Sequence, residues 1–206
     1  MTAIKICGIT RAEDALAAAR CGVNAIGLVF YAKSPRHVTA ACAVDLMRVL
    51  PPFVMSVGLF VDAAAQEVAQ TLATARVDLM QFHGDETPEY CRQFGVPYLK
   101  ALRVRRGVNL LQYAHDYHDA KALLLDAYVE GTRGGTGEMF DWTLIPQNLP
   151  LPVILSGGLT PENVTAAVKA VRPWAVDVSS GVESSKGIKD AEKIAAFVTG
   201  VRNADV

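Results

Sequence analysis

Short apolar runs alternate along the chain with longer stretches in which apolar residues recur every three or four positions. The runs, rich in Ile, Val and Leu, predict strands at 4–8, 24–30, 53–61, 78–82, 97–102, 121–126, 152–156 and 175–179. The stretches between them predict helices. Ala15, Leu16 and Ala19 give the first helix an apolar face. Val68 with Leu72, and Val164 with Val168, are spaced to seal two others against a sheet. Thr10-Arg11-Ala12-Glu13 has the pattern of a capping box. Thr87-Pro88-Glu89 and Thr160-Pro161-Glu162 each put a capping threonine before a proline at the first helical position. The fifth helix, around 107–115, has the weakest pattern.

Strands that alternate with helices imply a parallel sheet of the α/β class. Right-handed crossovers leave two closures, an open doubly wound sheet or a closed barrel. Eight repeats favour a (β/α)8 TIM barrel, expected to occupy residues 1–206 as a single domain, with no linker or low-complexity segment.

Composition narrows the function. Apolar residues make up 51% and charged residues 20%, which supports a folded core. The 20 Lys and Arg balance 21 Asp and Glu, so no broad basic face for nucleic acid is expected. Mean hydropathy is positive, yet no window approaches the ~18 unbroken apolar residues of a spanning helix. The N-terminal residues lack the pattern of a secretory signal. The cysteines stand at 7, 21, 42 and 91, with no CxxC pair and no zinc spacing. These features predict a reduced, cytoplasmic protein with no membrane partner.

In such barrels chemistry sits at the C-terminal strand ends. The predicted strands deliver Cys7, Arg36, His83, Asp126, the pair Gly157-Gly158, and Ser180-Gly181 to that end. Glycines after strands 7 and 8 let backbone N–H groups approach an anion closely, and barrels of this kind frequently bind phosphate there. Tight turns are the alternative for each loop taken alone. Asp126 ends a buried run, as a structural cap or ion-pair partner, or as a general acid or base. The loop 127–139, with Gly134, Gly135 and Gly137, is expected to approach or cover a ligand. Arg36 suits a carboxylate through two parallel hydrogen bonds, although a solvated surface position is commoner for any single arginine. His83 is a structural histidine or a participant in catalysis. Cys7, taken alone, is a small buried hydrophobe or a base.

The strings KICGIT, GLVFYAKSPRHV, VGLFV, QFHGDE, LLDAY with GGTG and FDW, GGLTPENV, and DVSSGVE with GIKD occur in that order. Together they resemble the phosphoribosylanthranilate isomerases of tryptophan biosynthesis, in their free-standing form, over essentially the whole chain. Ser156 stands where alanine is expected and Phe82 where leucine is common. The resemblance implies an Amadori rearrangement of N-(5-phosphoribosyl)anthranilate by general acid and base catalysis, without cofactor or metal. It implies Asp126 as the acid and Cys7 as the base. Arg36, His83, Gly157, Gly158, Asp177, Ser180 and Gly181 are then the substrate-binding residues. The partner is a small phosphorylated substrate, and the enzyme is a monomer or a homodimer. For these roles Cys7 must lose a proton, which nearby positive charge favours, and Asp126 must carry one, which burial favours. Two rivals stay open at this point: another phosphosugar enzyme on the same barrel, and a non-catalytic metabolite sensor.

Overall fold

The computed structural model describes residues 1–127 and 141–205. Eight strands pair in chain order and close into a parallel barrel. They are β1 (Ala3–Cys7), β2 (Ala25–Val29), β3 (Met55–Phe60), β4 (Leu79–Phe82), β5 (Tyr98–Val104), β6 (Ala122–Ala127), β7 (Val153–Leu155) and β8 (Ala175–Val178). The barrel closes where β1 pairs with β8, which sets Lys5 opposite Asp177. Around it lie α1 (Ala12–Arg20), α2 (Ala40–Arg48), α3 (Ala65–Thr74), α4 (Pro88–Arg92), α5 (Leu110–Asp116), α6 (Val164–Val171) and α7 (Ala191–Ala204). Between β6 and β7 the described residues hold a single 3-10 turn, Trp142–Leu144, in place of an α-helix. The glycines expected to line the loop at 127–139 lie outside the described residues. This is the predicted (β/α)8 architecture.

The strand period of two splits each strand between two cores. Ile4, Ile6, Ile26, Leu28, Phe60 and Phe82 point outward and pack under the helices. Val57, Leu99, Ala101, Ala122, Leu124, Ile154 and Ala175 fill the barrel interior. Val68, Val164 and Val168 are buried against the sheet as their spacing predicts. On α1 the buried alanines are Ala15 and Ala18, while Leu16 and Ala19 are half-buried.

Two predicted helix starts shift. Thr10 does not cap α1: its hydroxyl donates to the Gly187 carbonyl at 2.5 Å, and Arg11 occupies the cap position without a side-chain bond. A distant carbonyl outcompetes the local amide. Thr160 does not cap α6 either. Its N–H donates to Asn163 Oδ1 at 2.8 Å, Asn163 donates to the Gly158 carbonyl at 2.8 Å, and the helix begins at Val164. Thr87 does cap α4, accepting from the Tyr90 N–H with Pro88 at the first position. Asn109 caps the fifth helix at Leu110.

One element escapes the strand pattern altogether. β9 (Glu183–Ser185) and β10 (Ile188–Lys189) form an antiparallel ribbon after β8. The Lys189 N–H anchors the ribbon to Asp14 of α1 at 3.0 Å. At the other end of the barrel the chain ends meet. The Thr2 N–H and hydroxyl each donate to the Asp205 carboxylate at 2.8 Å, and Arg202 donates to the Thr2 carbonyl at 2.9 Å.

Candidate active site

Inward positions on four strands carry polar groups instead of apolar ones. Lys5 and Cys7 share the inner face of β1, Gln81 and His83 that of β4 and its end, Asp126 that of β6, and Asp177 that of β8. All six are buried. Cys7 and Asp126 lie on strands separated by β7 and β8, so the loops after those two strands stand between them.

Cys7 sits in a charged pocket. Lys5, two residues earlier, donates to Asp177 Oδ1 at 2.8 Å, and both side chains are 6% exposed. Gly27 on the neighbouring strand makes room: a Cβ there would stand 2.8 Å from Cys7 Sγ, 3.0 Å from Cys7 Cα and 3.2 Å from Lys5 Nζ. Burial pushes the Cys7 thiol up; Lys5 and Lys189 draw it down and Asp177 adds to the rise, leaving it above its ordinary value. The positive charge anticipated beside the thiol is present, but burial outweighs it. Lys5 moves the other way from a lone buried lysine. Burial lowers it, and Asp177 and Cys7 together raise it above its ordinary value.

Asp126 is held by β4. Its Oδ2 lies 3.1 Å from His83 Nε2, and His83 Nδ1 lies 2.9 Å from the Gln81 amide nitrogen. With that amide as donor, Nδ1 accepts, so Nε2 carries the proton and donates to the carboxylate. Asp126 Oδ1 accepts from the Ala127 N–H at 2.9 Å. Gly157 borders the same oxygen: a Cβ there would meet the Ala127 nitrogen and stand 2.8 Å from Asp126 Oδ1.

Gly157 and Gly158 have φ of 83° and 65°, the left-handed region that suits glycine. The loops after β7 and β8 touch, since a Cβ on Gly181 would collide with the Leu159 carbonyl. Ser180 and Gly181 open a 3-10 turn ending at Val182. The two glycine-bearing loops form one backbone surface between Cys7 and Asp126.

Arg36 reaches the same mouth from the loop after β2. Glu183 takes it in a fork, from Nε at 2.7 Å and from Nη2 at 2.8 Å. Lys189 donates to Glu183 Oε1 at 2.9 Å and to the Ser179 carbonyl at 3.0 Å. Burial pushes the Glu183 carboxyl up, but hydrogen bonds from Arg36 and Lys189 outweigh it and hold the group below the usual glutamate value. Arg36 packs against Gly8, where a Cβ would lie 2.5 Å from Arg36 Cδ.

The sequence places Cys7, Arg36, His83, Asp126 and the four loop residues after strand ends, and Asp177 comes only from the resemblance; the partners Lys5, Gln81, Glu183 and Lys189 go unmarked. A lysine or glutamine one period from a candidate catalytic residue, inside an otherwise apolar strand, is a signal that Lys5 and Gln81 both carry. Among the described residues no group of three or more His, Cys, Asp or Glu is placed to hold a metal. No described helix is long and apolar enough to cross a membrane.

A parallel eight-stranded barrel with a buried thiol, a buried carboxyl and glycine-bearing loops at its C-terminal mouth has the layout of a (β/α)8 enzyme, the class whose active sites lie at that end, frequently with a phosphate site after strands 7 and 8. Comparison narrows the class. Residues 4–200 match the family model described as N-(5'phosphoribosyl)anthranilate (PRA) isomerase, and the chain belongs to that family. The N-(5'-phosphoribosyl)anthranilate isomerase of Nitrosospira multiformis is 60% identical over 198 residues, covering 96% of this chain and 95% of that protein. The crystal structure of the Thermotoga maritima phosphoribosyl anthranilate isomerase has a TM-score of 0.90 at 38% identity, covering 98% of this chain and 100% of the other. A phosphoribosyl anthranilate isomerase solved with reduced 1-(o-carboxyphenylamino)-1-deoxyribulose 5-phosphate has a TM-score of 0.85 at 38% identity, with 98% and 100% covered.

Proposed function

We propose that this chain catalyses the Amadori rearrangement of N-(5-phosphoribosyl)anthranilate to 1-(2-carboxyphenylamino)-1-deoxyribulose 5-phosphate, with Asp126 as general acid and Cys7 as general base. The observation that carries the reading is the placement of these two groups across the barrel mouth with the glycine loops of β7 and β8 between them.

Asp126 enters the step as the carboxylic acid, with His83 Nε2–H still donating to it, and gives its proton to the ribose ring oxygen. The C1–O bond breaks as the anthranilate nitrogen forms a double bond to C1, and a protonated Schiff base results. The Cys7 thiolate removes the C2 proton, and those electrons form the C1=C2 bond of an enolamine. C1 then gains a proton and the C2 hydroxyl loses one, giving the ketone with no net change in protons. Backbone N–H groups around Gly157, Gly158, Ser180 and Gly181 bind the phosphate. His83 steadies Asp126 and faces the sugar. Arg36 takes the anthranilate carboxylate on the edge of its guanidinium that Glu183 leaves open. Asp177 completes the substrate pocket by holding Lys5. The whole chain acts as one cytoplasmic domain, as a monomer or a homodimer, and the protein groups named suffice without a cofactor.

Freshly made phosphoribosylanthranilate, followed by its fluorescence, tests the reading. Wild type consumes it and Cys7→Ser does so far more slowly. No consumption by wild type overturns the function; undiminished activity in Cys7→Ser overturns the base assignment alone.

A further inference from the structure

The barrel interior is filled by apolar side chains, among them Val57 of β3, Ala101 of β5, Leu124 of β6 and Ile154 of β7. Lys5 breaks that pattern. The buried side chain lies on the inner face of β1, with Asp177 as the hydrogen-bonded carboxylate of its ammonium. A buried ion pair seldom stabilises a fold better than apolar residues of the same volume. The pair therefore calls for a reason beyond packing, and its surroundings supply one. Lys5 Nζ and Cys7 Sγ both border the gap that Gly27 leaves, at 3.2 and 2.8 Å from the absent Cβ. An ammonium has three donors; Asp177 engages it at 2.8 Å from the β8 side, and the thiol borders the same Gly27 gap.

We propose that Lys5 is a positioning residue for catalysis: its permanently charged ammonium, fixed by Asp177 and given access by Gly27, is the counter-charge on which the Cys7 thiolate forms. This rests on the reading of Cys7 as the base. Ionisation releases the thiol proton to solvent. The thiolate takes the C2 proton and becomes a thiol again, while Lys5 stays charged throughout. The charged groups that face the thiol are Lys5 from β1, Asp177 from β8, Lys189 from β10 and Arg36 from the loop after β2. Glu183 engages both Lys189 and Arg36 at hydrogen-bond distance. Lys5 is the cation whose ammonium shares the Gly27 gap with the thiol sulfur. Asp177 opposes it at the thiol while holding it in place, so the carboxylate sets position and the ammonium sets charge.

The test follows the Cys7 titration by ultraviolet thiolate absorbance in a Cys21→Ser, Cys42→Ser background. Cys91 stays silent there, because burial pushes its thiol to about 12. Lys5→Met is expected to raise the Cys7 titration by about one unit or more and to lower kcat about tenfold or more, with KM within about twofold of wild type. If the single variant does not fold, Lys5→Gln takes its place, keeping a hydrogen-bond donor for Asp177 without the charge, and the titration rises there too. A third reading needs no change at Lys5: in wild type carrying carbon-13 lysine, the Lys5 Cε signal moves at the pH where Cys7 titrates, and that movement vanishes in Cys7→Ala. An unmoved thiol titration in either Lys5 variant, or a Lys5 signal that ignores the thiol, overturns the proposal and leaves the base assignment standing. Full activity in Cys7→Ala overturns the base assignment whatever Lys5 does.

Discussion

His83 Nε2 stands 3.1 Å from Asp126 Oδ2, with both side chains buried and with Gln81 on the far side of the imidazole. The ring bridges a glutamine that senses no solvent and a carboxylate at the mouth. Removing the bridge leaves Asp126 one buried partner short and free to turn. His83→Asn is expected to lower kcat by roughly tenfold to a hundredfold, a smaller loss than the ~10²–10⁴ for Asp126→Asn. Steady-state kinetics of the two variants side by side check this ranking. A His83→Asn enzyme with wild-type kcat would show that Asp126 keeps its orientation unaided.

Glu183 holds Arg36 in a fork and shares Lys189. Glu183→Gln keeps the shape and removes the charge, so Arg36 gains freedom to leave the pose in which, on the proposed reading, it meets the substrate carboxylate. KM is expected to rise several-fold while kcat changes less, as befits a group that acts in binding. Equal losses in kcat and kcat/KM would place Arg36 in the transition state instead.

The same carboxylate gives an acid-side prediction. Its folded-state value is held below the ordinary glutamate value of about 4.3. A depressed carboxyl binds fewer protons folded than unfolded, so its contribution is complete above about 4.3 and is lost as pH falls through the lower folded value. Urea midpoints measured from neutral pH down to about pH 3 should fall less steeply in Glu183→Gln than in wild type. Parallel curves would count against the ion pair as a source of acid lability.

Gly27→Ala tests the space beside the thiol. The added carbon would press on the Cys7 backbone as well as on Sγ, and backbone does not step aside. Overpacking of this kind costs about 1–3 kcal/mol, and here it displaces the sulfur proposed as the base too. A lower thermal midpoint together with reduced kcat is expected. Retained kcat in a destabilised variant would separate the packing role from the catalytic one.

The barrel itself was legible because period-two strands and period-3.6 helices depend on near neighbours. Boundaries fell within about two residues at most strand ends. What stayed hidden depends on chain segments far apart. Lys5 finds Asp177 across 172 positions and Arg36 finds Glu183 across 147. No local pattern announces such a partner, so Lys5 reads as one residue of a strand and Glu183 as the tail of a serine-glycine loop. Thr10 shows the reverse error. Its capping pattern is intact, yet Gly187, 177 positions away, takes its hydroxyl. The β9–β10 ribbon escaped for a related reason: its strands of three and two residues are too short to show a period.

Thr2 and Asp205 clasp the two chain ends together at the side of the barrel opposite the strand ends that carry Cys7 and Asp126. Whatever is attached at either end, an affinity tag or a second enzyme, departs from the back of the molecule and leaves the approach to the mouth clear. Ends held so close also make the polypeptide nearly a ring, so the chain is a natural candidate for joining residue 205 to residue 2 and opening it in an exposed helix–strand turn elsewhere.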